Sequence, residues 1–208
     1  MRTILVANLK GGCGKTTIAT TLATALAKNG EKVAIADADR QKSSLNWGKR
    51  RPKDAIPIAV LDWTKSGDVG DVAKKFDAVV IDGPGGLNSE MAKTLIAGSD
   101  TIVIPVLPSV LDLDSTRKFL KRIETLKRVR KGKADIHLVA NRVKMRTVAI
   151  KELEQAAKGI GHPVLARLTD RMIYNSLAGQ GLALFDRSST ELVPIKVQWQ
   201  PLVSLLQR

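Results

Sequence analysis

The sequence predicts an α/β fold: one domain over residues 1–208, with a mostly parallel sheet of about seven or eight strands and helices on both faces. Three observations carry that expectation. Short apolar runs alternate with helix-like stretches along the chain. Several of those runs lead straight into glycine-rich or carboxylate-bearing turns, as strand ends do at the ligand edge of a parallel sheet. Hydrophobic content is 44% but aromatic content only 3%, so the core must be mostly Ala, Val, Ile and Leu, as in strands covered on both sides.

In chain order, Thr3-Ile4-Leu5-Val6-Ala7 reads as a buried strand. A glycine-rich turn separates it from a helix over 18–27 that ends at Gly30. Val33-Ala34-Ile35-Ala36 is a second strand, running into Asp37-Ala38-Asp39-Arg40-Gln41. Ser43 and Ser44 are expected to cap a short helix through Trp47, followed by a basic loop at 49–52. Residues 56–61 read as a strand and 68–75 as a helix. Ala78-Val79-Val80-Ile81 is an all-apolar strand ending in Asp82-Gly83-Pro84-Gly85-Gly86. A helix over 88–97 stops at Gly98, and 101–106 is another buried strand. Asp112 or Asp114 is the expected cap of a long helix reaching about Lys131. A strand over 136–140 ends at Asn141-Arg142. A helix (147–158), a strand (164–168) and a helix (171–179) follow. Residues 191–206 read as helical pieces interrupted by Pro194 and Pro201.

A chain of 208 residues can bury one sizeable core and is short for two typical domains. No apolar run approaches the ~18 residues of a membrane-spanning helix. The strand-like start runs directly into the glycine turn, which argues against a cleaved leader. A single cysteine, Cys13, allows neither an internal disulfide nor a cysteine-held metal. These features point to the cytoplasm. The formal net charge of +14 exceeds what solubility requires. It suggests a polyanionic partner, either nucleic acid or an acidic membrane surface.

The stretch Lys10-Gly11-Gly12-Cys13-Gly14-Lys15-Thr16-Thr17 lies between the first strand and the first helix, the setting that a phosphate-binding loop requires. Glycines at 11, 12 and 14 let backbone N–H groups close around phosphate oxygens. The following helix N-terminus adds positive potential. In such a loop Lys15 reaches the β- and γ-phosphates and the Thr16 hydroxyl holds Mg²⁺, with Thr17 completing the cradle. Cys13 fills a variable position as a small residue that fits. The expected cofactors are therefore ATP and Mg²⁺. Asp82, after four apolar residues, can bind Mg²⁺ directly or through one of its waters. The Gly-Pro-Gly-Gly after it is suited to sensing the γ-phosphate. Asp39 is expected to join Thr16 and Asp82 at the Mg²⁺ and to position the attacking water.

The standard loop pattern has Gly where this chain has Leu9, and Lys10 is added before the glycines. K-G-G-x-G-K-T-T resembles the deviant Walker A motif of the ParA/MinD family of ATPases. The resemblance implies that Lys10 crosses a dimer interface to the partner's nucleotide. Asp37-Ala38-Asp39-Arg40-Gln41 is similar to the family's second motif, D-x-D-P-Q, with Arg40 in place of proline. Asn141-Arg142 falls where the family contacts adenine; the amide can pair with the base edge and the guanidinium can stack on the ring. The resemblance extends over about residues 3–187 and lacks the N-terminal helix-turn-helix extension of larger members, so the chain looks like the short ParA class.

Twelve lysines and arginines lie between Arg117 and Arg146, opposed only by Glu124 and Asp135. Leu120, Ile123, Leu126 and Val129 form the buried stripe of the helix that carries them. The expected DNA-contacting residues are Lys118, Lys121, Arg122, Arg142, Lys144 and Arg146. By resemblance to the late ParA segment, Arg167 and Arg171 join them. With so few aromatics for stacking, binding should be independent of sequence. No role falls to His137 or His162.

Together these readings imply an ATP-dependent homodimer on non-specific double-stranded DNA, located at the nucleoid. A ParB-like or adaptor protein would stimulate its hydrolysis, and a cargo (plasmid, chromosome region or protein compartment) would be partitioned or positioned. Two alternatives stand beside this reading. A MinD-like membrane ATPase needs a basic amphipathic tail, and residues 191–208 hold only Lys196 and Arg208 as basic residues. A small-molecule kinase or ligase on the same fold needs an acceptor pocket that the basic surface does not announce.

Overall fold

The computed structural model describes residues 1–65, 75–85, 90–144 and 147–207. Seven strands form one sheet: β1 (Arg2–Val6), β2 (Val33–Asp37), β3 (Ala59–Asp62), β4 (Ala78–Asp82), β5 (Thr101–Val106), β6 (Asp135–Val143) and β7 (Val164–Thr169). Their spatial order is β3-β2-β4-β1-β5-β6-β7, and every adjacent pair is parallel. The chain thus winds outward from the central β1 in one direction and then, after β4, in the other. All strand ends lie at one edge, and in register there Val6 and Asp37 both flank Asp82.

Strand side chains alternate between two cores, as a pleated sheet requires. Leu5, Val79, Ile81, Ile102 and Ile104 face α3 (Glu90–Gly98), α4 (Val110–Ile123) and α6 (Val148–Gly159). Ile4, Val6, Ile35, Val80 and Val103 face α1 (Lys15–Lys28), α2 (Ser43–Arg50) and α9 (Gln200–Leu206). The remaining α-helices among the described residues are α5 (Lys127–Arg130), α7 (Met172–Gly179) and α8 (Val193–Val197). The expected layers, strands and helices are present within a few residues. The expected helix at 68–75 lies largely outside the described residues.

Three local expectations need correction. Ser43 and Ser44 do not cap α2; Lys42 holds the N-cap position at φ 55 without a side-chain cap bond. Instead the Asp37 carboxylate, reaching from β2, accepts the Leu45 N–H at 2.8 Å. Neither Asp112 nor Asp114 caps α4. Ser109 does, accepting the Asp112 N–H at 3.2 Å. The long helix to about Lys131 also breaks. The Thr125 hydroxyl donates to the Arg122 carbonyl at 2.7 Å, and Leu126 turns extended, so α4 ends at Ile123 and α5 starts anew. Pro194 and Pro201 occupy the first turns of α8 and α9, where a missing N–H costs nothing.

In the basic stretch 49–52, Lys49, Arg50 and Pro52 are exposed, and only the Arg51 side chain turns inward. Arg51 is buried and makes a bidentate pair with Asp186, at 3.0 and 2.7 Å. It also donates to the carbonyls of Ile56 and Gly181 and lies over the Trp47 ring. Gly181 is required at this joint: at φ 70, a Cβ there would meet the Arg51 nitrogen at 2.4 Å.

Candidate functional site

The loop after β1 builds the site. Gly12 and Gly14 both take left-handed backbone, φ 74 and φ 96, and Gly14 is the N-cap of α1. With no side chain capping α1, its first N–H groups are left to a ligand. The Cys13 thiol is buried and points to the Lys10 carbonyl at 3.3 Å; burial pushes its pKa up, so it is a filler and not a nucleophile. Lys15 is 8% exposed and its ammonium lies 3.4 Å from the Lys10 carbonyl.

A cavity of about 420 Å³ opens over the loop. Gly11, Gly12, Gly14, Lys15, Thr16 and Thr17 form its floor. Asp39, Gln41 and Ser43 wall one side, with Gly85 and Arg142 also in contact. The sequence-predicted Lys15, Thr16, Asp39 and Arg142 therefore come together. Gln41 and Ser43 were not anticipated as lining residues. Gly86, the last of the glycines after Asp82, lies outside the described residues.

Asp82 sits beneath the cavity and is buried. Burial pushes its pKa up to about 7; the neighbouring Asp37 adds to this, while the Thr16 and Ser44 hydroxyls and Lys15 oppose it. Its Oδ2 and the Ser44 Oγ are both buried without a hydrogen-bond partner. Orphaned oxygens beside a threonine hydroxyl suit a hard cation or its water shell. Among the described residues, no group of three or more His, Cys, Asp or Glu converges. Mg²⁺ would thus be held by Thr16 and Asp82 jointly with nucleotide phosphates, as this ion prefers. The cation would neutralise phosphate charge there.

Asp37 is not a ligand. Its Oδ1 accepts the Asp39 N–H at 3.0 Å while Oδ2 accepts from Leu45, so it braces the loop that presents Asp39. Asp39 in turn accepts the Gln41 N–H at 2.9 Å. This bracing holds the loop with Arg40, and not proline, at its exposed corner. Asn141 is 7% exposed and donates to the Cys13 carbonyl at 2.7 Å, against Gly14. Its amide N–H thus supports the phosphate loop. Arg142 follows at φ 51, a left-handed backbone that is rare without glycine, and its exposed side chain turns to the cavity.

The basic run from 117 to 146 divides between sheet edges. Arg142 and Lys144 stand at the carboxyl edge, and Arg171 joins them because Thr169 pairs with Val143. Lys118, Lys121 and Arg122 are exposed on α4. Lys127, Arg130, Lys131 and Lys133 lie at the opposite edge, where Arg128 bonds Ser99 and Asp100 ahead of β5. Arg167 is ion-paired with Glu154, and Arg171 donates to the Thr169 hydroxyl at 3.3 Å. Arg146 lies outside the described residues.

A glycine loop between the central strand and a helix, with Lys15 and Thr16 lining one cavity and a buried Asp82 behind Thr16, defines a P-loop nucleotide-binding protein. More particularly, residues 4–184 match the family described as CobQ/CobB/MinD/ParA nucleotide binding domain, and the chain belongs to that family. It is similar to the maintenance of carboxysome distribution protein A of Halothiobacillus neapolitanus, at 33% identity over 88% of this chain and 86% of the relative. Among solved structures it resembles a variant of Cyanothece McdA in complex with ATP (TM-score 0.72, 18% identity, 97% of this chain and 96% of that one). It also resembles MinD of Aquifex aeolicus (TM-score 0.78, 20% identity, 100% and 97%). At such identities the two structures share the fold alone.

Proposed function

We propose that this protein is a ParA-type positioning ATPase. Two copies close face to face on ATP, each Lys10 reaching the other's nucleotide. The dimer binds duplex DNA without sequence preference, at the nucleoid. A ParB-like or adaptor protein then stimulates hydrolysis and releases it. The observation that carries this reading is the division of the two loop lysines. Lys15 lines the cavity of its own chain, whereas Lys10 does not. The likeness to a carboxysome-distribution protein supports a cargo such as a protein compartment.

In the hydrolysis of ATP to ADP and phosphate, Lys15 and the loop N–H groups bind the phosphates. Asp39, at the cavity wall, orients the attacking water. Within α9, Leu202, Val203 and Leu206 are buried in the core, so this helix is not the apolar membrane face that a MinD-like reading needs.

The test is a set of three variants, followed by calorimetry with ATP and light scattering. Lys15→Ala should lose ATP binding. Lys10→Ala should keep it and fail to dimerise. Asp39→Ala should bind ATP and accumulate as a dimer with turnover reduced at least about a hundredfold. Equal and complete loss of ATP affinity in both lysine variants would return Lys10 to the cis pocket and defeat the reading.

A further inference from the structure

Two hydroxyls from different helices act on Asp82: Thr16, in the first turn of α1, and Ser44, in the first turn of α2. Thr16 lines the nucleotide cavity and Ser44 does not. The adjacent serines of α2 thus divide, Ser43 turning to the cavity and Ser44 to the carboxylate beneath it. Paired strand ends set this up. Asp37 and Asp82 are register neighbours on β2 and β4. Asp37 Oδ2 accepts the Leu45 N–H at 2.8 Å, which seats the first turn of α2 over the two carboxylates and brings Ser44 to Asp82. Ser44 is 0% exposed, yet its Oγ has no hydrogen-bond partner, and neither has Asp82 Oδ2. A buried hydroxyl and a buried carboxylate oxygen that stay unbonded each cost the nucleotide-free fold free energy.

We propose that Ser44 is a positioning residue for the Mg²⁺–nucleotide complex, its hydroxyl donating to Asp82 when the metal is held there and steadying the carboxylate beside Thr16. The proposal rests on the placement of Mg²⁺ at Thr16 and Asp82 and requires no dimer. A serine hydroxyl turns about its C–O bond, so it can offer its proton to Asp82 without moving the backbone. A hydrogen bond to an ionised acceptor is among the strong ones, and Mg²⁺ needs the ionised carboxylate. An interaction made only in the loaded form appears as ligand affinity and adds nothing to the stability of the empty protein. The same bond would join α2, and with it the wall of Asp39, Gln41 and Ser43, to the residue that holds the metal.

Ser44→Ala tests this with two readouts that a packing role would not separate. Calorimetry with a non-hydrolysable ATP analogue should show affinity in Mg²⁺ falling at least about tenfold, with affinity in EDTA unchanged. The nucleotide-free variant should melt at or above the parent temperature, because the group removed was buried and unbonded. Ser44→Cys nearly keeps the volume but donates weakly, so it should follow the Ala variant in affinity. Equal loss of affinity in Mg²⁺ and in EDTA would make Ser44 a support of the cavity wall and overturn the proposal. An Ala variant that melts well below the parent would do the same, since the hydroxyl would then serve the empty fold. So would a Cys variant with the parent's gain from Mg²⁺, because volume would suffice. If the parent itself gains no affinity from Mg²⁺, the placement at Thr16 and Asp82 fails and the proposal fails with it; a normal parent gain that Ser44→Ala leaves unmoved fails the proposal alone.

Discussion

At Gly14, two requirements meet on one residue. Its backbone is left-handed, and a Cβ would come within 2.2 Å of the Asn141 amide nitrogen. Gly14→Ala should therefore lower ATP affinity at least about tenfold, by straining the loop and pushing Asn141 off the Cys13 carbonyl. Calorimetry measures the first effect, and a melt within a few °C of the parent would show that the fold survives. Asp82 makes a separate prediction. Its pKa of about 7 is raised from 3.8, so between these values the folded state holds a proton that the unfolded state has released. The Asp82 contribution to the stability of the nucleotide-free protein is then fully present below about pH 4 and is lost as pH rises to about 7. Asp82→Asn should flatten that decline and raise the melting temperature at pH 8 by a few °C, seen in melts across pH 5–8. Mg²⁺ needs the ionised carboxylate, so Mg²⁺-dependent nucleotide affinity of the parent should rise from pH 6 to pH 8.

Among the elements, the join between α2 and the segment after α7 carries unusual weight. Arg51 and Asp186 are both buried, 7% and 2% exposed in their side chains. Asp186 also accepts the Ala183 N–H at 2.8 Å. Removing one partner leaves the other charge uncompensated. Asp186→Ala should cost about 3–5 kcal/mol in chemical denaturation, while Arg51→Met with Asp186→Leu should recover part of it. The basic composition of 49–52 hid this role, because a string of cations looks alike whether it is solvated or paired across 135 residues. The cap of α4 was more legible. Ser109-x-x-Asp112 has the spacing of a capping box, and reading it as such would have placed the helix start correctly.

For the whole molecule, the basic residues divide between the two sheet edges. Arg142, Lys144 and Arg171 share the nucleotide edge, whereas Lys127, Arg130, Lys131 and Lys133 lie at the other. Only the first group adjoins the face that ATP is proposed to pair. Charge reversal at Lys144 and Arg171, which do not line the nucleotide cavity, should cut ATP-dependent DNA binding at least about tenfold and leave dimerisation intact; each lost phosphate contact should lower the salt slope by about 0.9. Reversal at Lys131 and Lys133 should leave the ATP-dependent increment unchanged. Anisotropy with random duplexes in ADP and ATP across a salt series measures both. Equal affinity in the two nucleotides would remove the gate.

The sequence by itself determined the α/β rhythm, the parallel sheet, the phosphate loop and the carboxylate of Asp82. Each is a local signal: short continuous apolar runs, a glycine string between strand and helix, an acid at a strand end. It also carried Asp39, because its motif is contiguous. Only the tertiary structure decided what Asp37, Arg51, Asn141 and Asp112 touch. Asp112 meets Lys10 from 102 residues away, and Asn141 meets Cys13 from 128. Such pairings depend on which strands become neighbours: β1 lies beside β5, which brings the start of α4 to the phosphate loop. The split of the basic run has the same origin, since a helix antiparallel to its strands carries one end of a charge string away from the ligand edge.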